Sequence, residues 1–234
     1  SYSFHSVWSN MGLNMDGRPQ RKGSGVTIIW DSRIPFTDAW VDTQGRACAV
    51  TLMGPGRRQV RLLAVYGYAT PGSWGDRPTV LLSEIQAQRC KAAKQNLSLI
   101  VLGEFNSSPL GDTAQGFPRP PSYTSHESKC ITRACLKEVR ARTQTSPPPK
   151  ALAPKLKDAF RDCHPLVNGA TRHFKGQKPA RHTLIFVPRR YRVIGSNVDS
   201  ACSWWPDSDH FLLSAWFSFS EVLGVSSLHA RSAG

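Results

Sequence analysis

Hydrophobic and polar positions change period several times along the chain, and each change marks an element. Leu99, Ile100, Val101 and Leu102 follow one another without a polar interruption, and Gly103 comes straight after. Such a run predicts a strand buried on both faces that stops abruptly. Gly25 to Trp30 predicts another strand. Ala47 to Met53, with Cys48, Val50 and Leu52 on one face, and Gln59 to Tyr68 predict a hairpin turned by Gly54-Pro55-Gly56-Arg57-Arg58. Ser1 to Trp8 reads as a short edge strand. Thr183 to Val187 and Arg192 to Val198 read as strands joined by the basic turn Pro188-Arg189-Arg190-Tyr191, and Phe211 to Phe219 as the last strand.

Between these runs the period lengthens. Val80, Leu81, Ile85, Gln88 and Ala92 recur at helical spacing and predict an amphipathic helix over 77–95 that feeds into the strand at Ser98. Leu156 to Asp162 predicts a short helical piece. Strand, helix and buried strand in succession indicate a layered α/β domain in which the helix covers a sheet. Residues 111–150 are rich in glycine, proline and serine around a basic segment, Cys130 to Arg142, that suits a helix. They predict a flexible insertion in a domain spanning 1–220, followed by a serine-rich tail over 221–234.

Charge narrows the partner. Thirty Lys and Arg against sixteen Asp and Glu give a formal net charge of +14 and a pI near 10.0, an electrostatic footprint for a polyanion, of which nucleic acid is the usual one. No apolar run approaches the ~20 residues of a membrane helix, and no signal peptide opens the sequence, so an intracellular location is expected. The six cysteines have no paired-knuckle spacing and read as reduced thiols.

Two stretches carry candidate chemistry. Glu104 and Asn106 directly follow the buried strand, and residues two apart on an extended segment point the same way, into one shared space. Asp209 and His210 precede the last strand, an acid and an imidazole suited to general base work. Arg57, Arg58, Lys175, Lys178, Arg181, Arg189 and Arg190 are the candidates for gripping a polyanion, with Trp74, Trp204 and Trp205 available for stacking.

These stretches, in this order, resemble the endonuclease/exonuclease/phosphatase superfamily, which includes apurinic/apyrimidinic endonucleases and the endonucleases of non-LTR retrotransposons. Leu102-Gly103-Glu104-Phe105-Asn106 matches its Gly-Asp-Phe-Asn signature with Glu for Asp. Ser208-Asp209-His210 matches its terminal Ser-Asp-His, and Lys157-Asp158-Ala159-Phe160-Arg161 resembles its Asp-Ala-Trp-Arg segment. Leu62 to Gly67 looks like the strand ending in its active-site tyrosine, which strand register assigns to Tyr66, with Tyr68 the alternative. Thr183 falls where the family has the acid that orients the catalytic His.

The resemblance implies a four-layered α/β sandwich of two packed mixed sheets flanked by helices. It also implies magnesium-dependent phosphodiester hydrolysis. Glu104 and Asp209 would be the metal ligands; Asn106, Tyr66, Thr183 and His210 would complete the site. The family's amino-terminal Asn strand and the helix leading to a Gln-Glu pair find no counterpart, so the first strand and helix are expected to be missing. Two alternatives stand beside hydrolysis. One is a nuclease-like fold kept for nucleic-acid binding or assembly; the other is a fragment completed by an upstream segment or a partner chain.

Overall fold

The computed structural model describes residues 3–9, 25–42, 44–54, 58–68, 77–106, 155–172, 179–199, 210–218 and 222. The strands are β1 Phe4–Trp8, β2 Thr27–Asp31, β3 Phe36–Val41, β4 Ala47–Met53, β5 Gln59–Tyr66, β6 Ser98–Glu104, β7 Leu156–Asp158, β8 Thr183–Pro188, β9 Val193–Asp199 and β10 Leu212–Phe217. The helices are α1 Arg77–Lys94 and α2 Ala159–Cys163.

Six strands form one mixed sheet in the order β3-β4-β5-β6-β8-β7. Only β5 and β6 run parallel within it, and α1 is the crossover that a parallel neighbour requires. β6 lies inside the sheet between β5 and β8, which explains its uninterrupted apolar run: both faces are covered.

Alternation along the strands divides the core in two. On one face Ala47, Ala49, Leu63, Val65, Leu99, Val101, Leu184 and Phe186 pack with Leu81, Ile85 and Ala92 of α1. On the other, Cys48, Val50, Val60, Ala64, Ile100 and Val187 meet Ile28 and Trp30 of β2 and Val193 of β9. Each fully buried aliphatic or aromatic side chain contributes about 1.5–3 kcal/mol to that association.

The second face is covered by two antiparallel pairs, β1-β2 and β9-β10. Where a second mixed sheet was expected, the described residues form these separate two-stranded ladders. Their outward faces carry Phe4, Trp8 and Ile29 on one pair and Ile194, Leu212 and Trp216 on the other, each more than half exposed.

Two local readings change. The segment expected to be helical from Leu156 is strand β7 as far as Asp158, whose carboxylate then accepts from the N–H groups of Phe160 (3.0 Å) and Arg161 (3.2 Å) and so caps α2. Strand β3 had no clear apolar pattern and was not anticipated. The insertion over 111–150, its expected helix and all of the tail except Val222 lie outside the described residues.

Candidate active site

The ends of three strands build one corner of the molecule. In register, Tyr66 of β5 lies beside Glu104 of β6, and Glu104 beside Thr183 of β8. Residues paired across a sheet share a face, so these three side chains form a row on the face that β1-β2 and β9-β10 cover.

Two glycines allow the strand ends to close on each other. Gly103 has φ +134°, and a Cβ there would fall 2.0 Å from the carbonyl oxygen of Val65. A Cβ on Gly67 would fall 2.2 Å from the carbonyl oxygen of Phe105. The Gly67 N–H donates to the Glu104 carbonyl at 2.6 Å, and the Phe105 N–H donates to the His182 carbonyl at 2.7 Å. The chain therefore leaves β6 tied to both neighbours.

Asn106 then turns with φ +51°, in the left-handed region that Asn tolerates better than most residues. Its Nδ2 donates to the Gly67 carbonyl at 2.9 Å, which orients the carboxamide. The same carbonyl accepts from Arg46 Nη1 at 3.3 Å. The Arg46 guanidinium, nearly buried, lies 4.7 Å from the Tyr66 ring centre and 4.6 Å from that of Tyr68. This cation–π stack fixes the tyrosine beside Glu104. Tyr68 packs against the α1 face of the core, and its hydroxyl hydrogen-bonds Gln44.

His210 arrives from the other end of the chain. It forms an isolated bridge with Arg172, and the N–H of Phe211 donates to the Thr171 carbonyl at 2.8 Å. Thr171 Oγ1 accepts from the N–H groups of His182 (3.1 Å) and Thr183 (3.0 Å), joining the same loop to β8. His210 Nε2 thereby comes within 3.7 Å of Glu104 Oε2, with side chains 30% and 19% exposed. That separation is longer than a hydrogen bond. His182, behind this row, is held neutral: burial, then the charges of Arg172 and His210, push its pKa down to about 4.

The structure thus gathers Tyr66, Glu104, Asn106, Thr183 and His210 from distant parts of the chain. Asp209, Arg57, Lys175, Lys178 and the three tryptophans lie outside the described residues. Arg181 is not at the surface. It is fully buried, both carboxylate oxygens of Asp158 accept from its Nη2 at 2.8 Å, and its guanidinium packs over Phe160. Arg58, Arg189 and Arg190 are exposed, but at the opposite pole of the sheet, where β6 begins and β8 ends. Six residue steps at about 3.3 Å put them roughly 20 Å from Glu104. They form no common surface with it.

Sequence reasoning missed Arg46, Arg172 and His182. The only available signal was adjacency, since His182 stands directly before Thr183 and Arg46 directly before a strand.

No family model and no curated protein matches the chain. Solved structures do. The 3'-5' exonuclease NExo from Neisseria meningitidis superposes with a TM-score of 0.63 at 19% identity, covering 92% of this chain and 80% of that one. The catalytic domain of APE2 from Xenopus laevis gives 0.59 at 17% identity, over 92% and 75%. An AP endonuclease from Archaeoglobus fulgidus gives 0.55 at 15% identity, over 92% and 79%.

Proposed function

Because the chain has the fold of the endonuclease/exonuclease/phosphatase superfamily across most of its length, we propose that it is a phosphodiester hydrolase acting on nucleic acid. The observation that carries this reading is the approach of His210 Nε2 to Glu104 Oε2 at the same strand ends that present Asn106 and Tyr66. A net charge of +14 supports a polyanionic substrate. One of the similar proteins, the NExo 3' phosphatase from Neisseria, has been solved bound to a product DNA hairpin.

In this reading a water attacks phosphorus, the bond to the leaving oxygen breaks, and protons must move to and from the oxygens that change charge. Glu104 orients the imidazole of His210, which exchanges a proton with the phosphate oxygens. Asn106, its Nδ2 already anchored on Gly67, offers its remaining amide proton to a non-bridging oxygen, and the Tyr66 hydroxyl offers another. Thr183, beside Glu104, adds a hydroxyl but no charge. The neutral His182 keeps a second positive charge away from His210.

Glu104 and the Asn106 carboxamide are hard oxygen donors and fit magnesium, which binds few protein ligands and keeps most of its waters. Asp209, the other expected ligand, lies outside the described residues. When bound there, magnesium would polarise the scissile phosphate.

The testing experiment is cleavage of single- and double-stranded DNA and RNA with magnesium or with chelator, comparing the chain with its His210→Ala and Glu104→Gln variants. Magnesium-dependent cleavage lost in both variants is the expected result. Thr183, a neutral residue in the row, favours a second reading in which the site binds nucleic acid without cutting it. Tight, salt-sensitive binding with no cleavage under any condition would establish that one instead.

A further inference from the structure

At the pole of the sheet opposite Glu104, a pocket of about 620 Å³ opens between the turn before β5, the end of α1 and the β8–β9 turn. Arg58, Gln59, Gln95, Asn96, Ser98 and Arg190 supply its polar wall. Two guanidiniums, three carboxamides and a hydroxyl converge there, and no carboxylate is among the described lining residues. Arg190 is exposed yet positioned, since one Nη2 proton goes to Ser98 Oγ and the guanidinium lies 5.7 Å from the Tyr191 ring centre.

A second pocket of about 400 Å³ adjoins it, with Gln59, Gln95 and Leu97 lining both. The second contains Asp38, whose charge is answered by Arg61 at 2.7 Å and Lys91 at 3.0 Å. α1 ends beside this groove and brings the negative end of its dipole, which disfavours an anion by a fraction of a kcal/mol at such exposure. Lys91 and Lys94 in its last turn offset that.

We propose that this groove is a second binding site for the phosphodiester backbone of a nucleic-acid strand, about 20 Å from the catalytic corner. Donor chemistry decides the class of ligand. Arginine forks and carboxamide N–H groups match phosphate oxygens, and two adjoining pockets suit a polymer better than a single small anion. Because backbone contacts read charge and not base identity, the groove anchors a strand without selecting its sequence. At the duplex spacing of roughly 3.4 Å per nucleotide, a strand between the two sites covers about six nucleotides. The proposal rests on the nucleic-acid reading above.

The test measures the anisotropy of labelled single-stranded DNA, about 30 nucleotides long, against the chain over a range of salt. Arg58→Ala with Arg190→Ala should weaken binding about tenfold at low salt and lower the slope of log K against log salt by about 1.4, the value for two phosphates on a single strand. Arg58→Lys with Arg190→Lys should restore most of that slope, because the charges remain; this separates lost contacts from lost folding. Equal affinity and slope in the chain and its double alanine variant would overturn the groove while leaving nucleic-acid binding intact. No binding by the unaltered chain would overturn both.

Discussion

Arg181 and Asp158, twenty-three positions apart, form a buried bidentate contact in which both carboxylate oxygens accept from one guanidinium nitrogen at 2.8 Å. The carboxylate also caps α2, so one acid ties a helix start to the entry of β8. Removing either partner strands a buried charge, a loss of about 3–5 kcal/mol. Arg181→Met should therefore lower the urea midpoint sharply. In whatever fraction folds, it should leave the salt dependence of nucleic-acid binding unchanged, since no phosphate reaches this arginine.

Gly103 allows no side chain. Its φ of +134° is open essentially to glycine alone, and an added Cβ would overlap the carbonyl oxygen of Val65, which is backbone and cannot swing aside. Gly103→Ala should cost at least about 1–3 kcal/mol from conformation alone, with the displacement of β6 from β5 added to it. Chemical denaturation would show the lower midpoint. Cleavage assayed at a temperature where the variant is still folded should also fall, because Glu104 moves with the strand.

The contact between Glu104 and His210 predicts a graded response. Glu104→Gln keeps the shape and removes the charge, and should lower turnover by about 10²-fold or more, in line with the usual weight of a positioned acid or base. Glu104→Asp keeps the charge but withdraws it by a methylene from His210, already 3.7 Å away, and should fall between the two. Ring-nitrogen chemical shifts of His210 give an independent readout. They should change in Glu104→Gln and stay close to those of the unaltered chain in Thr183→Ala.

His182 makes stability depend on acid. Its folded pKa of about 4 lies below the ordinary 6.5, so below pH 6.5 the unfolded chain takes up a proton that the folded chain refuses. Stability is complete above that value and is lost as pH falls from about 6.5 towards about 4. Because the ring is only partly buried, the loss should amount to about 2 kcal/mol. Urea melts at pH 7 and pH 4.5 should reveal it in the unaltered chain and a smaller difference in His182→Gln.

Strand positions were legible wherever a strand had an apolar face, as in β4, β5 and β6. Strand β3 was not, because Thr37 and Asp38 interrupt its pattern; Asp38 serves Arg61 and Lys91 instead of the core. The Asp158 segment read as helix because a capping acid resembles helical sequence until its neighbours are known. Glu104, Asn106 and His210 were legible as one site through motif likeness, their distances only through the fold. The arginines were the least legible in position. Arg181 reads like any surface cation, and nothing in the sequence tells that Arg190 and Glu104 occupy opposite ends of adjoining strands.

The outward faces of β1-β2 and β9-β10 bear on how the protein behaves in bulk. Phe4, Trp8, Ile29, Ile194, Leu212 and Trp216 stand exposed on a chain whose charge of +14 makes copies repel one another. Salt screens that repulsion over a Debye length of about 8 Å at physiological strength and leaves the apolar side chains as adhesive as before. One salt titration therefore acts in opposite directions, loosening the polyanion while bringing copies of the chain together. Colloidal stability should be greatest in dilute salt with the positive charge unmasked.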